Sequence, residues 1–233
     1  VYLFLVGLFV TPKCLFAICS SIGWGIRKML RSRANYGNLV GVVMVVLNWY
    51  VLFYGSFWGF DDIRVRKVTF ESAQLPEAFD GYRIVQFSDA HVGSYIGGKE
   101  HLLQMIVDTI NTQNADMVVF AGDLQNREPQ EIRPFVDVLS GIKAKDGVFS
   151  VIGNHDYADY IDASPTTKVA NEMETRRLEK MMGWQLLVNE HKVIRRDADS
   201  IVIAGLDNDG DGKKFPQRGD VAKAMYGVSD SAF

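Results

Sequence analysis

Three short clusters of polar residues in the middle of the chain have the side chains and the spacing needed to bind divalent metal ions. They are residues 88–93, 122–127 and 153–156. Each cluster combines a carboxylate or an amide with imidazole or glycine. Carboxylate oxygens and neutral imidazole nitrogens suit divalent ions such as Mn, Fe or Zn, and glycine lets the backbone approach a ligand closely. We therefore expect the three clusters to contribute to one metal site.

Individual residues of the clusters predict specific roles at this site. Asp89 and His91 are two positions apart, so both side chains can lean to one side at the end of a strand. Asp123 comes from a neighbouring strand and is placed to bridge two ions, while Asn154 offers a neutral carbonyl oxygen. Two ions about 3.5–4 Å apart can clamp a phosphate and generate hydroxide from water. The pattern therefore indicates a two-metal site for phosphate chemistry.

The clusters each follow a predicted strand, in a region where strands and helices alternate. The apolar runs that precede them predict strands at residues 82–88, 117–121 and 147–152. The other predicted elements are a half-buried strand at 63–70, helices at 101–111, 131–142 and 166–182, and a hairpin of 185–194 with 200–204, turned at 196–199. This alternation predicts an α/β fold with ligands at the carboxyl ends of the strands.

The motifs D-x-H, G-D-x-x-N and G-N-H-D, about thirty residues apart and each ending a strand, resemble those of the calcineurin-like metallophosphoesterase family. The resemblance covers residues 82–156 firmly and the flanks loosely. It implies a calcineurin-like αββα sandwich, here its N-terminal part, that hydrolyses phosphomonoesters or phosphodiesters. It also implies that Asp89 and His91 bind the first metal, that Asp123 bridges both metals and that Asn154 binds the second. His155 would lie beside the phosphate as proton donor or transition-state stabiliser.

Two features depart from the family pattern. Members that act on proteins have Asp where this chain has Asn126, and that Asp orients the catalytic histidine, so protein-phosphatase activity is disfavoured. Arg127 is a candidate for a phosphate contact. The family also has a later lone histidine and a final G-H-x-H. The remaining histidines do not supply them, since His101 begins a helix and is expected at the surface, and His191 lies in the predicted hairpin.

The missing ligands are expected past Phe233, so that the phosphoesterase domain would be truncated at its C-terminus. The fragment alone would then bind metal weakly and be nearly inactive. The absent histidines also leave a second hypothesis open, a non-catalytic membrane-anchored binding module that retains the phosphoesterase fold.

The first 60 residues form a separate apolar region, and no charged residue occurs between Arg33 and Asp61. Residues 38–60 are long enough to cross a bilayer as a helix. Residues 1–26 form a second candidate span, interrupted at Pro12 and Lys13. Either one span is kinked at Pro12 with Lys13 facing a partner, or a short turn separates two spans, and we favour the turn.

Basic residues concentrate between the two apolar segments, at residues 27–33. By the positive-inside rule this loop is expected in the cytoplasm, with the polar domain outside it. The sequence thus predicts a transmembrane region at 1–60 and a metallophosphoesterase domain at 61–233. The chain resembles membrane-linked bacterial members of the family, including those related to UDP-2,3-diacylglucosamine hydrolases. We therefore expect a bacterial cytoplasmic membrane location and a bias toward lipid-linked substrates.

Charge and cysteine content exclude other classes of protein. The formal net charge of −3 gives no basic bias toward nucleic acid. Cys14 and Cys19 both lie in the apolar region, so the polar part has no disulfide scaffold and no thiolate metal site. Residues 207–212 match the start of an EF-hand calcium loop, but Arg218 stands where that loop has Glu. We therefore expect a polar surface loop there.

Overall fold

Two helices account for the apolar N-terminal region. A computed structural model of the protein describes residues 2–59, 62–210, 215, 217–229 and 232–233. Contacts between residues divide the chain into two units, Val1–Val65 and Arg66–Phe233. The first unit contains helix α1, Tyr2–Leu30, and helix α2, Tyr36–Phe57. Both helices are long and apolar enough to cross a membrane, by length and composition.

Helix α1 passes through Pro12 without a break, so the expected turn at Lys13 is wrong. The helix instead contains a π-helical stretch, Val6–Val10, directly before Thr11. The backbone N–H of Thr11 donates to the carbonyl of Val6, and proline has no N–H to donate. The wider π-helical turn accommodates Pro12. The carbonyls of Gly7 and Leu8 therefore do not accept a hydrogen bond from the backbone N–H four residues ahead, as they would in a regular α-helix.

Side chains of α2 supply donors to these two carbonyls. Asn48 Nδ2 donates to the carbonyl of Gly7 at 2.9 Å, and Trp49 Nε1 donates to that of Leu8 at 3.1 Å. A backbone carbonyl without a donor is costly wherever water is excluded, so these interhelical hydrogen bonds stabilise the helix pair. The polar residues of α2 therefore compensate for the irregular turn in α1.

A parallel four-stranded sheet organises the second unit, in the order β1-β2-β3-β4. Its strands are β1 Ile84–Phe87, β2 Met117–Phe120, β3 Val148–Ser150 and β4 Gln185–Leu186. Strands β5 Glu190–Arg196 and β6 Asp199–Gly205 form a separate antiparallel hairpin. The helices are α3 Glu100–Thr112, α4 Val136–Leu139, α5 Pro165–Met181 and α6 Val221–Ala224. Short 3₁₀ turns lie at Glu77–Phe79, Val92–Tyr95, Pro129–Glu131, Arg133–Phe135 and Asn154–Tyr157.

The sheet separates two apolar cores, because successive side chains of a strand point to opposite faces. Val118 and Phe120 of β2 lie in one core, together with residues of α3 and α5 such as Leu103 and Leu178. Met117 lies in the other core, with Phe149 of β3 and with Ile194 and Ile201 of the hairpin. The layers are thus helices, parallel sheet and hairpin, which confirms the predicted α/β fold.

Three predicted elements are corrected by the structure. Residues 63–70 form no strand, since no described segment pairs with them and Val68 is 79% exposed. Residues 131–142 form 3₁₀ turns and a single α-helical turn, because Pro134 cannot donate a helix hydrogen bond. The apolar spacing of that segment predicts Ile132, Phe135, Val136 and Leu139 as inward residues; Ile132, Phe135 and Leu139 are buried, and Val136 is partly buried. Residues 185–186 join the parallel sheet instead of the hairpin.

Replacing Asn48 with Leu tests the pairing between the two N-terminal helices. The carbonyl of Gly7 would lose its donor, which we expect to destabilise the helix pair by about 0.6–2 kcal/mol. The measurement is the SDS mole fraction at half-unfolding of the full-length protein in mixed micelles. Val46→Leu, at an exposed position of the same helix, is the control and should leave the midpoint unchanged. An unchanged midpoint for Asn48→Leu would show that the bond does not contribute.

Candidate metal centre and active site

The carboxyl ends of β1, β2 and β3 meet, because the three strands are parallel neighbours. The pairing of β1 with β2 continues into the loops that follow them. Asp89 N donates to the carbonyl of Gly122 at 3.0 Å, and His91 N donates to that of Asp123 at 3.1 Å. These bonds fix the first polar cluster beside the second.

Three of the predicted site residues have backbones in the left-handed region. Their φ angles are +52° for Asp89, +41° for His91 and +63° for Asp123. This conformation costs a residue with a Cβ roughly 1–2 kcal/mol, and such strain concentrates at functional sites. The surrounding hydrogen bonds therefore hold the backbone in a shape that it would not adopt alone.

The structure brings together His91, Asp123 and His155. Their potential ligand atoms all lie within 4.8 Å of one another, and the side chains are partly buried. The two imidazole rings are 4.6 Å apart between centroids and nearly perpendicular. One residue from each of the three loops thus converges on a single point.

Hydrogen bonds orient both imidazole rings toward this point. His91 Nδ1 lies 3.1 Å from the carbonyl oxygen of Gln125, and His155 Nδ1 lies 2.7 Å from that of Asn126. A carbonyl oxygen only accepts, so each Nδ1 carries the proton. In this tautomer the lone pair is on Nε2, the arrangement that metal-binding histidines use.

Asp123 is held by the loop that follows β3. The backbone N–H of His155 donates to its Oδ1 at 2.9 Å, which leaves the second carboxylate oxygen available. A Cβ on Gly153 would stand 2.2 Å from this Oδ1. A Cβ on Gly122, whose φ is +92°, would stand 2.5 Å from the nitrogen of Gly153. The two motif glycines are therefore required for the close approach of the loops.

The side chain of Asp156 connects the loop after β2 to the loop after β3. Its buried carboxylate accepts four backbone N–H bonds, from Asp123 at 2.9 Å, Leu124 at 2.9 Å, Gln125 at 3.3 Å and Gly153 at 3.0 Å. Burial raises the pKa of Asp156 to about 6, against the opposing effect of the donors. The carboxylate thus acts as the common acceptor for the backbone around the site.

A second buried carboxyl, Glu179, lies behind Asp156. Ser150 Oγ donates to its Oε2, and its Oε1 has no hydrogen-bond partner among the described residues. Burial raises the pKa of Glu179 to about 8, and the negative charge of Asp156 adds to the rise. At neutral pH we therefore assign the charge to Asp156 and a proton to Glu179.

The other two predicted metal ligands lie at the edge of the cluster. Asp89 is exposed, and its Oδ1 is 3.9 Å from Nε2 of His91. Asn154 Nδ2 donates to Oη of Tyr160 at 2.8 Å, so its carbonyl oxygen is left available. The ring of Tyr160 stacks on His155, with 4.2 Å between centroids. Tyr160 therefore contacts two predicted site residues.

Asn126 and Arg127 both make hydrogen bonds close to His155. The backbone carbonyl of Asn126, not its side chain, holds the ring of His155, while its Nδ2 donates to Ser94 Oγ at 2.8 Å. The guanidinium of Arg127 donates to the carbonyl of Tyr160, at 3.0 Å from Nη2 and 3.3 Å from Nε. Arg127 thus supports the residue that covers His155.

Sequence reasoning gave no role to Asp156, Gln125 or Tyr160. Asp156 closes the G-N-H-D motif, so the motif signalled its presence but not its four backbone partners. Gln125 is fully buried; its Nε2 donates to the carbonyl of His155 at 3.0 Å, and its Oε1 accepts from Thr175 at 2.9 Å. No local sequence pattern marks either Gln125 or Tyr160. Gln125 contacts residues at least 30 positions away. Tyr160 contacts Arg127, Asn154 and His155, which lie in other turns of the chain.

The remaining candidates lie apart from the cluster. His101 is exposed on α3, and His191 Nδ1 lies 2.7 Å from the carbonyl of Ala224. In the calcium-like segment, the buried carboxylate of Asp207 accepts from the hydroxyl of Tyr157. Asp211 and Gly212 of that segment lie outside the described residues.

The donor set fits divalent ions. Nε2 of His91 and a carboxylate oxygen of Asp123 meet at one point beside Nε2 of His155, and Asp89 lies at the edge of this cluster. Imidazole nitrogen with carboxylate and amide oxygen is the mixture that suits Mn, Fe or Zn. The backbone carbonyls that orient the two rings are already in place.

Several known proteins of one family are similar to this chain. The profile of the calcineurin-like phosphoesterase family matches residues 82–220. A Danio rerio transmembrane protein with metallophosphoesterase domain is 32% identical over 193 residues, covering 81% of this chain and 41% of that protein. The metallophosphoesterase YkuE of Bacillus subtilis is 34% identical over 149 residues, 63% of this chain and 48% of YkuE.

A third relative is the UDP-2,3-diacylglucosamine pyrophosphatase LpxG of Chlamydia muridarum. It is 33% identical over 113 residues, which cover 47% of this chain and 34% of LpxG. The chain thus spans between about a third and a half of the length of these relatives.

The buried carboxyl of Glu179 predicts a pH-dependent stability. Because its pKa in the folded state, about 8, exceeds the unfolded value of 4.5, the folded state binds this proton more tightly. The stabilisation is complete below pH 4.5 and is lost as the pH rises through 8. We expect Glu179→Gln to flatten the fall in melting temperature between pH 5 and pH 9.

The measurement is thermal unfolding of the full-length protein at a series of pH values. The difference from wild type should reach at least about 2–4 °C, the shift that 1 kcal/mol gives in a domain of this size. The exposed Glu71 gives the control Glu71→Gln, which should follow the wild-type curve. A Glu179→Gln protein with the full wild-type fall would contradict the assignment of the proton.

Proposed function

Because the chain belongs to the calcineurin-like phosphoesterase family, we propose that it is a membrane-associated hydrolase that cleaves phosphoesters at a two-metal site. The observation that carries the proposal is the convergence of His91, Asp123 and His155 from three neighbouring strand ends. Both rings keep Nε2 free for this point because their Nδ1 atoms are engaged. Such pre-oriented donors support metal binding more strongly than the residue types alone.

We assign Asp89, His91, Asp123 and Asn154 as the residues that hold two divalent ions, Mn, Fe or Zn, with Asp123 between them. Bound ions would draw charge from a phosphoryl group and promote the ionisation of water. The protein fixes the donors in advance, through the bond from His155 N to Asp123 and that from Asn154 to Tyr160. Fixed donors need no reorganisation when the ester is cleaved.

His155 would exchange a proton with the substrate at Nε2, because its Nδ1 proton is committed to the carbonyl of Asn126. A carbonyl is neutral and stabilises an imidazolium less than a carboxylate does. We infer that the site favours leaving groups that need little protonation, such as the phosphate of a pyrophosphate linkage. Protein phosphoesters, whose leaving group is an alkoxide, fit this site less well.

The two apolar helices support a substrate that lies in or near a membrane. One relative carries the name of a UDP-2,3-diacylglucosamine pyrophosphatase, and a lipid-linked pyrophosphate agrees with the leaving-group argument. We therefore propose lipid-linked phosphoesters as the natural substrate class. Soluble esters serve as probes of the chemistry.

The first test is manganese-dependent hydrolysis of bis-p-nitrophenyl phosphate by the detergent-solubilised full-length protein. Asp123→Ala removes the proposed bridging ligand and His155→Ala removes the proposed proton donor. Asp123→Ala should lower kcat/KM by at least about 100-fold, since changing even the partners of metal ligands costs up to about 100-fold. His155→Ala should lower it by a smaller factor, because p-nitrophenolate needs little protonation to leave. Removing metal with EDTA should abolish the activity, and adding manganese should restore it.

His101→Ala is the matched control, because His101 is an exposed imidazole on α3, and its kcat/KM should stay within about twofold. A folded, metal-loaded parent that hydrolyses neither this probe nor a lipid-linked pyrophosphate would refute the enzyme and favour a binding module. A parent that cleaves soluble esters but no lipid-linked one would refute only the proposed substrate class.

A further inference from the structure

A cavity of about 350 Å³ lies between α1 and α2, near the loop that joins them. Its walls are almost entirely apolar, with Cys19, Ile22, Ile26 and Leu30 from α1 and Val40 from α2. The volume falls within the range of small-molecule sites in proteins. In a membrane-spanning pair of helices, an apolar space that opens to the bilayer accepts a hydrocarbon chain without losing any polar contact.

A second cavity, of about 300 Å³, adjoins the first and has the opposite character. It is lined by Trp24, Arg27, Lys28, Arg31 and Ser32. Arg27 and Ser32 line both cavities. The apolar cavity and the basic cavity therefore lie side by side at the loop end of the helical hairpin.

The basic side chains have no acidic neighbour in their own segment. Residues 1–60 contain Lys13, Arg27, Lys28, Arg31 and Arg33 but no Asp or Glu. Helix α1 ends at Leu30, and Arg31 follows in the left-handed conformation. Three cationic side chains, Arg27, Lys28 and Arg31, therefore line the basic cavity at the end of α1, and residues 1–60 supply no carboxylate to neutralise them.

We propose that this end of the helical hairpin binds an anionic glycerophospholipid from the membrane. Its acyl chain would occupy the apolar cavity, and its phosphate would contact Arg27, Lys28 and Arg31. Basic pockets between membrane helices bind phospholipid head groups in this way, and guanidinium groups pair with phosphate through two parallel hydrogen bonds. The proposal requires that α1 and α2 lie in a membrane but does not depend on the hydrolase reaction.

Native mass spectrometry of the full-length protein in detergent tests the site. Phosphatidylglycerol and phosphatidylcholine with identical acyl chains are titrated in separate experiments. We expect phosphatidylglycerol to bind at least about tenfold more tightly. Arg27→Gln and Arg31→Gln should each weaken its binding about fivefold, the effect of one basic residue near an anionic lipid surface. Circular dichroism checks that each variant keeps its helix content.

Arg33→Gln is the matched control, because Arg33 carries the same charge in the same loop but lines neither cavity. Its phosphatidylglycerol binding should stay within about twofold of wild type. Val40→Phe fills the apolar cavity without changing charge, and we expect it to weaken phosphatidylglycerol binding as well.

Three results would overturn the proposal. Equal binding of the two lipids would exclude recognition of the head group. Equal losses in Arg27→Gln and Arg33→Gln would indicate attraction to the overall charge of the loop. Full binding in folded Val40→Phe would show that the acyl chain does not enter the cavity.

Discussion

The buried carboxylate of Asp156 is the interaction on which the candidate site depends. Its two oxygens accept N–H bonds from the backbone after β2 and from the backbone after β3. An unpaired charge at this depth would be strongly unfavourable, and the four donors compensate for its burial. Because one of these donors belongs to Asp123, the position of the proposed bridging ligand depends on a buried residue whose two oxygens are both occupied by backbone N–H bonds.

The polar groups around this carboxylate form successive layers, each of which fixes the next. Glu179, with its raised pKa, keeps a proton and so avoids a second buried charge beside Asp156. Asp156 fixes the loops, and the loop carbonyls of Gln125 and Asn126 then fix the two imidazole rings. Tyr160, held by Arg127, covers the outer side of His155. The orientation of the reactive nitrogens is thus set by backbone groups more than by charged side chains.

The sequence predicted those parts of the fold whose cause is local. Apolar runs followed by polar motifs located β1, β2 and β3, and parallel neighbours must bring such motifs together. The alternation of apolar and polar residues at 63–70 wrongly predicted a strand. A strand also needs a neighbouring strand to pair with, and sequence periodicity does not show whether one is present. The π-helical turn before Pro12 and the helix loss at Pro134 arise from missing N–H donors whose structural outcome depends on tertiary partners. The metal-ligand assignments of Asp89, His91, Asp123 and Asn154 stay predictions.

The most direct measurement of the central claim is the manganese affinity of Asp156→Asn in the full-length protein, determined by calorimetry after metal removal. An amide has the size of the carboxylate but presents donor hydrogens to at least one of the four N–H groups. If Asp156 sets the site, the affinity falls at least about tenfold while the exposed control Asp137→Asn retains wild-type affinity. A folded Asp156→Asn protein that binds manganese as tightly as wild type would contradict the account.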